Sequence, residues 1–355
     1  MNKCSQTLIV CCVLGLLGCA PAVKQEAGSA IPAWVNGASE QYPLALYIVG
    51  RGVGASQEEA KDRARADIAK TFAVAVFERS QDQQNYVRTE RDGQSQQQLE
   101  QTVSRNIMTR TDKLLHGAEI ADVWADETGS RAYALAVLSR AKAAEQLRQE
   151  IADLDAATEQ YIQRSGAEPS GLIKVAFAHQ AVIAQQERIG LQRSLRVVDQ
   201  TGAGLPPKWS LAQLALDRDE LIRRVRIYPA HEGLYVAGLV DVLNGSLGAA
   251  GFTVASATIA EYRLRAEVEL DDPLYQDGWY WIRGALELNL TDRDGKPLGV
   301  QRWPLKVSAT EEDRARGRVL DAIESLLKRD LRSTVLEFAM AKQAAQETDG
   351  HDRTQ

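Results

Sequence analysis

The chain has 355 residues, is 45% hydrophobic and 25% charged, and carries a formal net charge of −6 at pH 7. A chain of this length and balance forms a globular body with room for two domains. It holds no long basic cluster, which argues against a nucleic-acid partner.

The N-terminus opens MNKCSQTLIVCCVLGLLGCAPAV. Lys3 supplies a positive charge ahead of an apolar run from Thr7 to Leu17, too short to span a bilayer and of the length of a secretory signal. The run ends in Leu16-Leu17-Gly18-Cys19, which resembles the lipobox of bacterial lipoproteins; the alternative is a plain signal peptide cut near Ala20. The resemblance implies removal of residues 1–18, acylation of Cys19 and a linker over 19–31. Cys4, Cys11 and Cys12 all lie in the segment to be removed, so the mature chain keeps only Cys19. Two or more acyl chains, at about 0.8 kcal/mol per buried CH₂, give stable anchoring where one gives marginal binding. Ala20 and Pro21 follow Cys19 where lipoproteins of the inner membrane commonly carry Asp, which points to the outer membrane with the body in the periplasm. Past Cys19 no run of about 18 apolar residues occurs.

Order is expected from Ile31-Pro32-Ala33-Trp34, with Trp34 in the core of a first domain. Leu44 to Val49 reads as a strand. Gly50, Gly52 and Gly54 then approach the pattern of a dinucleotide-binding loop. That fold needs a second buried strand ending in an acid about 20 positions on. The stretch from Glu78, ERSQDQQNYVRTERDGQSQQQ, is too polar to make one, so the glycines read as a turn or bulge between strand and helix. Ser56 with Glu59 is a capping box. Ala60, Ala64, Ile68, Phe72 and Val76 then form one helical stripe, opposite Glu58, Lys61, Asp62, Arg65 and Lys70. A polar strand near Tyr86 and a helix over Leu99 to Leu115 follow. A hairpin comes next: Ile120, Val123 and Trp124, a turn at Glu127 to Ser130, and Tyr133, Leu135 and Val137 on the return strand.

These pieces, PAWV, YIVGRGVGASQEEAKDRARADIAK and GAEIADVWADETGSRAYALAVLSR, resemble the LPP20 lipoprotein family over roughly 32–145. The resemblance implies a compact α+β module, an outer-membrane anchor, and a scaffolding or surface role. It also implies kinship with proteins of the flagellar basal body, and it brings no catalytic motif.

From 141 to 200 the chain reads as a helical hairpin, with Leu147, Ile151, Leu154 and Tyr161 on one helix and Val175, His179, Val182 and Ile189 on the next. Gly166 ends the first and Pro169-Ser170 starts the second. A stalk, a spacer and an oligomerisation surface are equally open. DQTGAGLPPKW at 199–209 is a break. A second α+β domain is placed at 205–342: a strand at Val225 to Tyr228, a helix from Leu234 to Ala250, a strand at FTVAS, an alternating strand from Tyr262 to Leu270, a hairpin around Asp294-Gly295, and a closing helix from Thr310 to Ala339. This order resembles modules of Tol-type and curli-secretion lipoproteins. Residues 343–355 read as a disordered polar tail.

The fold class is therefore α+β, two small domains at 32–140 and 205–342 joined by a helical hairpin. His116, His179, His231 and His351 are scattered, no catalytic motif is present, and neither a metal nor a cofactor is expected. Asp271, Asp272 and Asp277 read as a solvent-exposed loop before a calcium site. Tyr275, Trp279, Tyr280 and Trp281 are the candidate partner-binding residues, with an aromatic-rich strand in an ordinary sheet as the plainer reading. The expected function is a non-enzymatic outer-membrane lipoprotein, a scaffold or assembly factor that binds envelope proteins or itself. The alternative is a tethered module regulating a cell-wall enzyme.

Overall fold

The computed structural model describes residues 31–37, 39–84, 117–126, 130–233 and 236–352. Cys19, the signal segment, the polar strand near Tyr86, the helix over 99–115 and the tip of the first hairpin lie outside the described residues. Two α+β modules and a helical hairpin are present, as the pattern of the sequence predicts.

The first module starts with α1 (Ala33–Asn36) and β1 (Tyr47–Gly54), followed by α2 (Gln57–Gln84), β2 (Glu119–Ala125) and β3 (Ala132–Ser139). Its antiparallel sheet has the order β1-β3-β2. Ala60, Ala64, Ile68 and Phe72 form the buried stripe of α2. The capping box forms with one change: Glu59 N–H donates to Ser56 Oγ at 3.2 Å, but the Glu59 carboxylate accepts from Ala55 N–H at 2.7 Å. Trp34 is buried, and its indole N–H donates to Asp122 Oδ2 at 2.7 Å.

Two expectations change here. The glycines are not a turn; Gly50, Gly52 and Gly54 lie inside β1, paired along its length with β3. A Cβ on Gly50 would stand 2.3 Å from the Ala64 carbonyl oxygen, and one on Gly52 would stand 2.0 Å from that of Ala60. The glycines let the helix backbone press directly on the strand, a close approach no other residue permits. Secondly, α2 continues to Gln84, so the polar stretch from Glu78 begins as helix.

The hairpin consists of α3 (Arg140–Ala167) and α4 (Gly171–Val198). Ser139 caps α3 by accepting from Lys142 N–H. It is not a free stalk. Leu147, Ile151 and Leu154 of α3 pack into the first module's core with Leu191, Leu195 and Val198 of α4. At its other end α4 gives Leu172, Val175, Ala176 and Phe177 to the second core. Buried polar groups register the two helices: Arg188 Nε donates to Asp155 Oδ1 at 2.8 Å, and Gln185 Nε2 donates to Thr158 Oγ1 at 2.9 Å. Arg188 also reaches the Pro206 carbonyl at 3.0 Å and so pins the 199–210 connection to the hairpin.

The second module begins with a helix the apolar pattern did not announce, α5 (Leu211–Arg224), capped by Ser210. It continues with β4 (Arg226–Gly233), α6 (Leu239–Ala249), β5 (Thr253–Val254), β6 (Tyr262–Leu270), β7 (Leu274–Gln276), β8 (Trp279–Asp292), β9 (Pro297–Ala309) and α7 (Glu312–Asp352). The sheet runs β5-β4-β6-β8, with β4 parallel to β5 and β6 and the rest antiparallel; β7 extends the β6 side of β8 and β9 takes its other edge. One face, Leu264, Ala266, Val268, Ile282, Leu286 and Leu288, is buried with α6 and with the Val319, Ile323, Leu327, Leu331 stripe of α7. α7 runs on to Asp352, into the segment expected as a disordered tail, because Ala341-Lys342-Gln343-Ala344-Ala345-Gln346-Glu347 is made of good helix formers.

Candidate interaction surface

The strict alternation of β6 and β8 that buries one face leaves the other open. That open face carries Arg263, Arg265, Glu267 and Glu269 on β6, Trp281, Arg283, Glu287 and Asn289 on β8, and Arg302 and Lys306 on β9. Much of it neutralises itself. Arg302 bridges Glu269 and Glu287, and Arg265 pairs with Glu232. The hydrogen bond and charge of Arg302 lower the Glu269 carboxyl, and Glu269 raises the guanidinium in return. Both side chains are exposed to water, so these pairs contribute little to stability. Arg263 lies over the Tyr228 ring at 5.6 Å.

The pairing ends at the β7–β8 tip. Asp277 (φ 52°) and Gly278 (φ 82°) form the two-residue turn of a tight hairpin, where both residues need the left-handed region. Asp277 therefore serves the turn, and among the described residues no group of three His, Cys, Asp or Glu could hold a metal ion. Cross-strand pairing sets Leu274 opposite Trp281 and Gln276 opposite Trp279 on the open face. Leu274 is 55% and Trp279 42% exposed. Lys306 lies over the Trp281 ring at 4.9 Å, with Arg283 directly across from Lys306. The four aromatic residues read from the sequence do not form one surface. Trp279 and Trp281 share the open face, while Tyr275 and Tyr280 meet at a tilt on the opposite side, ring centroids 4.8 Å apart. Sequence reasoning missed Leu274 and Lys306; β7 is only three residues long, and its register is what brings Leu274 beside Trp281.

Two other places hold chemistry. A groove of about 330 Å³ on the helical hairpin is lined by Asp153, Tyr161, Gln180, Ile183 and Glu187. Where α4, α5 and α7 meet, Asp219 pairs with both Arg218 and Arg332. His179 belongs to this junction. Burial, then the charges of Arg218 and Arg332, push its pKa from 6.5 down to about 3, and its buried Nδ1 has no hydrogen-bond partner. It is a structural histidine, neutral at physiological pH.

Residues 32–139 match the LPP20 lipoprotein family. The matched segment ends where α3 begins, so the hairpin and the second module lie beyond the match. No curated protein matches the chain. Among solved structures, the chain is similar to the secreted protein HP1454 from Helicobacter pylori, at 12% identity over 79% of this chain and 96% of that one, with a TM-score of 0.44. It is also similar to a minor lipoprotein from Acinetobacter baumannii, at 16% identity over 31% of this chain and 93% of that one, with a TM-score of 0.26. The lipoprotein GNA1162 from Neisseria meningitidis matches at 17% identity over 29% of this chain and 98% of that one, with a TM-score of 0.21. Among the described residues no helix is long and apolar enough to cross a membrane.

Proposed function

We propose that the chain is a lipid-anchored scaffold of the cell envelope, acylated at Cys19, held on the outer membrane with its body in the periplasm, and without catalytic activity. The observation that carries this reading is the shared hairpin. One helix, α4, is core to both modules, so the body is braced as a single bracket that fixes the distance between its two ends. A bracket suits an assembly factor that holds envelope proteins, or further copies of itself, in register. The LPP20 resemblance adds a flagellar or other trans-envelope ring as the assembly served. The surface offered to a partner is the corner of Leu274, Trp279 and Trp281 with Arg283 and Lys306, since exposed aromatic and cationic groups side by side are the usual anchors of protein interfaces.

That same corner favours a second reading, a tethered module that binds and regulates one cell-wall enzyme. The two are separated by light scattering on a soluble form starting at Ala20, followed by capture of periplasmic proteins with Trp279 and Trp281 intact or replaced by alanine. A defined oligomer supports the scaffold. A monomer that holds one enzyme in equal amounts, and loses it in the Trp279→Ala/Trp281→Ala variant, supports the regulator. Turnover of peptidoglycan by the pure protein overturns both.

A further inference from the structure

Just before β1 the chain makes a tight turn, Pro43-Leu44-Ala45-Leu46, closed by hydrogen bonds from Leu46 N–H and Tyr47 N–H to the Pro43 carbonyl at 2.9 and 3.0 Å. Leu44 is 64% and Leu46 52% exposed, and Pro43 and Ala45 are exposed between and beside them. Four successive apolar residues thus face outward on a rigid turn.

Every carbonyl of this turn is already satisfied by protein. Leu44 O accepts from Arg140 Nε at 2.9 Å, Ala45 O accepts from Gln200 Nε2 at 3.1 Å, and Leu46 O accepts from Arg140 N–H at 3.0 Å. Arg140 also donates to the Val197 carbonyl at 2.8 Å and so bolts the turn to the end of α4. With its carbonyls already paired, the turn can enter an apolar layer without leaving them unsatisfied there, which is costly.

We infer that this turn is a second membrane contact, with Leu44 and Leu46 dipping into the interfacial layer of the bilayer that holds the lipid anchor. The inference rests on the reading that Cys19 is acylated. Residues 20–31 then reach at most about 40 Å, the fully extended limit for a chain of that length. The chain enters the body beside the turn: Ile31 is 57% exposed, and Trp34, three residues on, shares a cluster with Tyr42 and Tyr47. A two-leucine contact is too weak to hold a free protein at a membrane. On a short tether the turn meets the surface at an effective concentration on the order of millimolar, and the contact becomes populated. Its consequence is orientation: the anchor alone leaves the body free to swivel, and the second contact fixes which way the bracket points.

The test uses the lipidated full-length protein in vesicles of phosphatidylethanolamine and phosphatidylglycerol. The mature chain has no thiol besides Cys19, so Leu46→Cys gives one labelling site on an exposed turn, with Val300→Cys on β9, 51% exposed, as the control. An environment-sensitive fluorophore at 46 is expected to shift to the blue and to be quenched by lipid-borne nitroxide, while the same label at 300 is unchanged. Equal water exposure at both sites, with Cys19 acylation confirmed by mass spectrometry, would overturn the inference. So would a blue shift at 46 without lipid quenching, which would mean that protein covers the turn. An unacylated Cys19 would sink the anchor reading instead. The turn is then tested alone by tethering an N-terminal His-tag to nickel-chelating lipid, where absence of quenching at 46 refutes the contact.

Discussion

Gly52 of β1 lies under α2 so closely that a Cβ there would stand 2.0 Å from the carbonyl oxygen of Ala60 and 2.4 Å from the amide nitrogen of Ala64. Both obstacles are backbone, which cannot rotate away. Gly52→Ala is therefore expected to cost about 3 kcal/mol or more, the upper end of overpacking effects. Gly166→Ala, at a helical position with nothing within 4 Å, is expected to be neutral or to gain up to about 1 kcal/mol from helix propensity. Urea unfolding of the two variants side by side checks this, and an equal effect at both positions would contradict the packing described for β1.

Arg188 is almost wholly buried and pairs with Asp155, itself bonded to Gln185 at 3.2 Å. Removing one partner of a buried pair strands the other charge, so Arg188→Ala is expected to destabilise by about 3–5 kcal/mol. The double variant Arg188→Met/Asp155→Leu, which removes both charges at similar volume, is expected to recover most of that loss. If the double variant is no more stable than Arg188→Ala, the loss comes from packing and from the Pro206 contact and not from the stranded carboxylate.

His179 gives the fold a pH dependence of definite sign. Its pKa is 6.5 in the unfolded reference and about 3 in the fold, depressed first by burial and then by Arg218 and Arg332, with Asp219 opposing. Below pH 6.5 the unfolded chain takes up a proton that the folded chain refuses. The stabilisation is complete above pH 6.5 and is lost as pH falls toward 3, at about 1.4 kcal/mol per unit within that window. Unfolding free energies measured at pH 7.5, 6.5 and 5.5 are expected to fall over the last step in the wild type and to stay nearly level over that step in His179→Gln. The same slope in the variant would assign the dependence to other groups.

Trp279 is half-exposed at the hairpin tip and contributes little to the core. Trp279→Ala is expected to change stability by under about 1 kcal/mol, in contrast with about 2–5 kcal/mol for Leu286→Ala, fully buried on the opposite face of the same strand. A large thermal shift for Trp279→Ala would make the corner part of the core and remove it as a partner surface.

The features legible in the sequence were those carried by local period. The four-residue stripe of α2, the alternation of β6 and the Asp294-Gly295 hairpin each follow from side chains within one element. What escaped depends on contacts between elements. The β1 glycines look like a turn until α2 is laid across them. Ser210 and Gln213 do spell an N-terminal helix signal for α5, and Gln213 N–H does bond to Ser210 Oγ, in the stretch between the 199–209 break and the strand at Val225 that the apolar pattern left unassigned. The hairpin's apolar faces were visible at Leu147 and Val175, yet nothing local says that one end of α4 belongs to one core and the other end to a second. Lys306 and Trp281 are 25 positions apart and meet only through the register of β8 and β9.

The central claim is that α4 makes the two modules one cooperative body. Differential scanning calorimetry on a soluble form starting at Ala20 tests it most directly, with Leu191→Ala placed in the first core. The claim predicts a single transition whose calorimetric and van't Hoff enthalpies agree, shifted as a whole by the substitution. Two resolved transitions, with only one moved by Leu191→Ala, would contradict it and reduce the hairpin to a connector between independent domains.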